Sequence, residues 1–127
     1  MSVKRKVWGN TTNLVLTDNL QVELIRVNPK GYCSHHRHEN KDNLFWVMKG
    51  ELRIKLEYQP DAYTMVTMNS TRHPLVIPAK MSHQFVNTTD EPVEAIEMYR
   101  SVEGQLVEPD DIYRHSEGGS DWDSENE

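Results

Sequence analysis

The chain has 127 residues, a net charge of −6 and one cysteine, Cys33. That length suits one domain with one core, a lone cysteine excludes an internal disulfide and fits a reducing compartment, and no apolar run approaches the ~18 residues of a membrane span. The charge is uneven: "SEGGSDWDSENE", 116–127, carries five acids and no base, while the rest carries 14 bases and 15 acids. With the body near neutral, no basic patch calls for a nucleic-acid partner.

Strand signals recur at short intervals along the chain. The opening "MSVKRKVWGN" has basic residues but no apolar core behind them, so it does not read as a secretory signal. "LVL", 14–16, ends at a "TDN" turn, and "LQVELIRV", 20–27, ends at Asn28-Pro29-Lys30-Gly31. "LFWVM", 44–48, is apolar throughout and predicts a strand buried on both faces. After the Lys49-Gly50 turn, "ELRIKLEY", 51–58, alternates, with Leu52, Ile54 and Leu56 inward. "AYTMVTM", 62–68, "PLVIP", 74–78, "HQFVN", 83–87, and "VEAIEMY", 93–99, follow, and "EPDDIYRH" suggests one helical turn. Eight or so short strands separated by turns predict an all-β sandwich or barrel. Val76, Ile77, Phe85, Ile96 and Met98 join Leu44–Met48 in the expected core. The domain is expected over 1–115, with 116–127 an acidic, mobile tail.

The histidines are concentrated. Of six, His35, His36 and His38 fall within four positions. Alternate residues of a strand share a face, so His36 and His38 can aim into one cavity. His83 opens another strand, and if the two strands are neighbours three imidazoles converge. Neutral imidazole is the commonest protein ligand for a divalent metal. His35 alone reads as a surface residue, as does His73 beside Pro74. Arg37, between the two alternating histidines, points away.

Two strings carry a resemblance. Gly31, His36-Arg37-His38, Asn43 and Gly50 form the first; Pro78-Ala79-Lys80-Met81-Ser82-His83 through Asn87 form the second. They resemble the two motifs of the cupins, a family of metal-binding jelly-roll barrels. Within that superfamily, Lys6-Val7-Trp8-Gly9, "VELIRVNPKG" and "AIEMYRSVEGQLVEPDDIYR" look like segments of the C-terminal isomerase domain of type II mannose-6-phosphate isomerases, over roughly residues 6–114. The nucleotidyltransferase domain of those enzymes has no counterpart.

The resemblance implies a single cupin barrel, a divalent metal (Zn, or Mn, Ni or Fe) on His36, His38 and His83, and a small-molecule ligand, a carbohydrate or sugar phosphate. The lone cysteine points to a cytoplasmic setting, and no membrane or nucleic-acid partner is expected; the strand-like segment Val3–Val15 has little to bury it in one small barrel and predicts a homodimer. Asn43 stands where the family has a glutamate ligand, and Lys80 where it has glycine. A Lys there is strained if φ must be positive, or else its ammonium reaches an anionic ligand. An aldose–ketose isomerase needs an electrophile and a base. His35, Glu39 and Lys80 are the candidate bases, and Lys80 and Arg114 the candidate substrate contacts. Two other readings stay open: another metal-cupin enzyme, such as an oxygenase or lyase, and a module that binds a small ligand without turning it over. The lost glutamate favours the last.

Overall fold

The computed structural model describes residues 2–123. Among them there are eleven strands and no helix: β1 Val3–Lys6, β2 Gly9–Leu16, β3 Leu20–Val27, β4 His36–Arg37, β5 Lys41–Lys49, β6 Leu52–Gln59, β7 Ala62–Met68, β8 Leu75–Ile77, β9 Ser82–Val86, β10 Val93–Ser101 and β11 Tyr113–Arg114. "EPDDIYRH" makes a turn and the short β11 instead of a helical turn. All pairings are antiparallel, in a six-stranded sheet ordered β1-β2-β3-β10-β5-β8 and a five-stranded sheet ordered β11-β4-β9-β6-β7. Two antiparallel sheets face each other as a jelly roll.

The core lies between the sheets: Ile25, Val27, Phe45, Val47, Leu52, Ile54, Met68, Ile77, Phe85, Val93 and Ala95 are all buried. Trp8 closes it from the start of the chain, its ring edge-on to Phe85 with centroids 4.8 Å apart. The β5–β6 hairpin turns at Gly50, where φ is +88° and a Cβ would meet Val93 at 3.0 Å. Glycine is the residue that accepts both demands.

The expectation of a doubly buried β5 needs correction. Phe45 and Val47 face the core, but Trp46 and Met48 are 52% and 44% exposed. Among the described residues neither helix nor sheet covers the outer face, so the strand alternates despite its unbroken apolar sequence. For the same reason Val76 is 46% exposed, and Ile96 and Met98 lie only partly buried on the outside. On β10 it is Val93, Ala95 and Glu97 that turn inward.

Three neighbouring strands change character at one level. The inner face of β3 runs from Val27 and Ile25 to Glu23, and that of β10 from Val93 and Ala95 to Glu97 and Tyr99. That of β5 runs from Val47 and Phe45 to Asn43 and Lys41. Their registers place Ile25, Ala95 and Val47 side by side, and set Glu23 beside Glu97 and Tyr99 beside Asn43. One end of the barrel is therefore an apolar plug and the other a polar cavity.

Residues 116–123 of the acidic segment run back along the barrel. Tyr32 and Gly119 exchange backbone hydrogen bonds of 2.9 Å, and the Trp122 N–H donates to the Lys30 carbonyl at 3.0 Å. The Tyr32 hydroxyl donates to Asp121 at 2.7 Å. Glu125 and Glu127, two of the acids read as a mobile tail, lie outside the described residues.

Candidate metal centre and cavity

His36 on β4 pairs in register with His83 on β9, and His38 follows two residues along, on the same side as His36. The centroids of the three rings are 4.5, 4.9 and 5.4 Å apart. All three are buried, and one ligand atom from each lies within 4.8 Å of the others. The cluster needs both strands: β4 alone supplies two imidazoles, and the β4–β9 pairing adds the third.

Their protons are assigned by their partners. His36 Nδ1 lies 2.7 Å from the Ser34 carbonyl, His38 Nδ1 2.7 Å from that of Asp111, and His83 Nδ1 3.0 Å from that of Met81. A carbonyl only accepts, so each Nδ1 carries the hydrogen and each Nε2 presents a lone pair. Burial lowers all three pKa values, His36 to about 2, His83 to about 3 and His38 to about 4. The rings are therefore neutral and ready to act as ligands.

Two observations test whether a cation fits. His38 Nε2 is buried without a hydrogen-bond partner, and such an atom carries an uncompensated desolvation cost. Asn43 Nδ2 donates to the Met98 carbonyl at 3.1 Å, which turns Asn43 Oδ1 toward His83 Nε2 at 2.9 Å. With His83 Nδ1 holding the proton, this places two lone pairs face to face. A positive ion among them satisfies all of these atoms, so His36, His38, His83 and the Asn43 amide oxygen fit a divalent metal. Each imidazole is also oriented by a carbonyl behind it, as at known metal centres.

Two of the three histidines, His36 and His38, line a cavity of about 600 Å³. Its walls include Thr11, Glu23, Lys41, Glu97, Tyr99 and Arg114. Lys41 is only 2% exposed; its ammonium donates to the Glu108 carbonyl at 2.7 Å and stands 4.4 Å from the Tyr99 ring centroid. Burial raises the Glu97 carboxyl to about 7, against hydrogen bonds from Tyr99 and Asn43 that oppose the shift. Glu23 accepts from Thr11 at 3.1 Å and from Asn13 at 2.5 Å. Cys33 also borders the cavity, and burial pushes its thiol pKa up, so it is a small packing group and not a reactive thiolate.

The candidate bases named from sequence stand elsewhere. His35 lies 3.5 Å from Glu57, with its ring 5.2 Å from that of His115. Glu39 is bound by the Arg37 guanidinium and by Asp111, which accepts from its backbone N–H at 3.0 Å. Lys80 sits in the turn before β9 with φ +75°, its N–H donating to the His38 carbonyl at 2.6 Å. A lysine in this left-handed conformation costs about 1–2 kcal/mol. None of the three lines the cavity, whereas Arg114 does. Glu97, Glu23 and Lys41 were not singled out from sequence. Their signal is an acid or base at the inward position of an alternating strand, which is visible only once the inner face is known.

A cupin-domain family model matches residues 23–99. No curated protein is matched by the sequence. Among solved structures, the capsular polysaccharide assembling protein CapF from Staphylococcus aureus superposes with a TM-score of 0.77 at 20% identity, over 91% of this chain and 31% of that one. CapF with the inhibitor 3-isopropenyl-tropolone gives 0.76 at 20% identity, over 89% and 33%. Oxalate decarboxylase from Bacillus subtilis at pH 4.6 gives 0.75 at 11% identity, over 90% and 30%. The chain spans about a third of the length of these proteins, and at such identities the likeness speaks for the fold.

Proposed function

The chain belongs to the cupin family, and from that premise we propose that it is a metal-dependent cupin acting on a sugar or sugar phosphate, in the manner of mannose-6-phosphate isomerases. The observation that carries this reading is the set of three buried, neutral imidazoles, two of which, His36 and His38, line the cavity. His36, His38 and His83 would hold the metal with Asn43 Oδ1 beside them. When bound, it supplies an electrophile for carbonyl and hydroxyl oxygens. Glu97 is the carboxyl best placed to exchange a proton with a cavity ligand, since it shares the inner wall with Tyr99 and Glu23. Lys41, held by Glu108 and Tyr99, offers an N–H to a ligand oxygen. Trp8 and Phe85 close the apolar side and exclude water there.

The test is metal analysis of the purified protein, then a panel of hexose phosphates with that metal restored. Interconversion of an aldose and a ketose phosphate is expected, and loss of turnover in Glu97→Gln with metal content unchanged. Asn43 favours a second reading: a neutral amide in the glutamate position suits a module that binds a carbohydrate without converting it. Binding with no turnover on any sugar phosphate would establish that reading and remove the isomerase.

We also propose that the protein is a homodimer. The outer face of the six-stranded sheet carries a row of Leu24, Ile96 and Trp46 and a second row of Val22, Met98, Leu44 and Val76, each set in direct register. Trp46 and Val76 are exposed and the others half-buried; contiguous apolar side chains left open to solvent in this way mark association sites, and a two-fold pair covers the same patch on both copies. Light scattering should give twice the chain mass of 14.8 kDa. A monomer at micromolar concentration would refute the dimer, and Trp46→Glu should convert dimer to monomer.

A further inference from the structure

The mouth of the cavity is built by parts of the chain far from the histidines. β1 is the edge strand of the six-stranded sheet. Lys4 and Lys6 share one of its faces, and both line the cavity, as does Arg114 on β11. Edge lysines commonly serve to block strand pairing between molecules, which would need no convergence with another cation. Here they converge. The Lys6 ammonium is lowered in pKa by burial first, then by the nearby charges of Lys4 and Arg114, with Glu97 and Glu23 acting in the opposite sense. The Arg114 charge also reaches His36 and His38 at the cavity floor.

Among the described residues no carboxylate forms an ion pair with Lys4, Lys6 or Arg114. Glu117 shares the rim without closing on any of them, and Glu23 and Glu97 lie deeper in the wall. Three cations at one mouth, none of them directly paired with a carboxylate, repel one another, and an anion bound among them removes that repulsion. The guanidinium brings paired donors suited to a phosphate, and the two ammonium groups bring point charges.

We propose that Lys4, Lys6 and Arg114 form an anion subsite at the cavity mouth, which holds the phosphate of a small phosphate monoester while its uncharged end faces the histidine cluster. This deepens the reading of the cavity as a sugar-phosphate site and rests on it for the identity of the uncharged end. The subsite itself stands on the arrangement of the three cations.

Trp8 lines the same cavity, so its fluorescence reports occupancy. Inorganic phosphate titrated into the full-length, chelator-treated protein should change that fluorescence saturably, with an affinity that falls with ionic strength. Lys4→Met/Lys6→Met should weaken phosphate binding by about 10-fold or more, as should Arg114→Met, whereas Lys49→Met on the far end of β5 should not. These residues sit at the surface or edge, and thermal melts of each variant check that the barrel is kept. Unchanged phosphate affinity in the double variant, or no saturable binding by wild type, overturns the subsite. The two proposals fail separately. Phosphate binding without turnover of any hexose phosphate would leave the subsite and remove the isomerase. Turnover with a KM unaltered in the double variant would leave the isomerase and remove the subsite.

Discussion

Replacing His83 with Ala is expected to abolish metal uptake, while replacing His35 with Ala leaves it intact. The two residues are both histidines near the barrel mouth, yet their surroundings differ in the way that matters. His83 is buried, donates Nδ1–H to Met81 and turns Nε2 toward His36, His38 and Asn43. His35 faces Glu57 and His115. Loss of one imidazole from a set of three should weaken zinc binding by at least about 100-fold, since loss even of a residue that only orients a ligand costs about 10–100-fold. Wild type should also be stabilised by about 2.7 kcal/mol when free zinc is 100-fold above its dissociation constant, and the His83 variant should show no such gain. His83→Gln keeps the volume of the site and guards against a variant that fails to fold. Metal retained by His83→Ala and stripped by His35→Ala would overturn the assignment, as would wild type that takes up none of Zn²⁺, Mn²⁺, Ni²⁺ or Fe²⁺.

The second large effect is a loss of stability in acid for the chelated protein. Burial holds His36, His38 and His83 well below the ordinary histidine pKa of 6.5. Between roughly pH 6.5 and 4 the unfolded chain binds protons that the folded chain refuses, so stability is present above that window and falls as pH drops through it. Glu97 acts in the opposite sense. Its carboxyl is raised from 4.5 to about 7, so its contribution is present below pH 4.5 and is lost as pH rises through 7. Each histidine is worth about 1.4 kcal/mol per pH unit below its unfolded pKa, and Glu97 returns a similar amount. Three against one leaves a net loss of roughly 2 kcal/mol between pH 7.5 and 5.5. Urea midpoints across that range should fall with acid, and His36→Asn should flatten the profile. A stability that is constant or rises toward pH 5.5 would refute the account of the buried neutral rings. Adding metal should stabilise the protein at neutral pH and steepen the acid loss, because protons compete for the same Nε2 atoms.

Much of the fold was legible before any coordinates. Strand-length runs bounded by turns indicated an all-β barrel, and "ELRIKLEY" placed Leu52 and Ile54 inward, where they are buried. The His36-x-His38 spacing marked one strand face, and the string from Pro78 to Asn87 marked the partner strand; the structure brings His36, His38 and His83 within 4.8 Å. Local periodicity suffices for such features because a strand's two faces are set by the backbone alone.

Other features depended on what lies opposite. "LFWVM" is uniformly apolar, so no pattern could show that Trp46 and Met48 face outward; that follows from the absence of a covering layer. In "VEAIEMY" hydropathy favours Ile96 and Met98 as the inner residues, yet pairing with β3 and β5 turns Glu97 and Tyr99 inward. The energetic reason is that the barrel's far end is a polar cavity, where a carboxyl has hydrogen-bond partners and costs less to bury than it would in the apolar plug. Arg114, more than 100 positions from Lys4 and Lys6, lines the same cavity as they do because β1 and β11 come to one rim. The sequence alone determined most of the strands, the inward face of β6 and the alternation that sets His36 and His38 on one side. Tertiary structure decided which polar residues share the cavity, because inward is defined by the neighbouring strand and the facing sheet, and by nothing local.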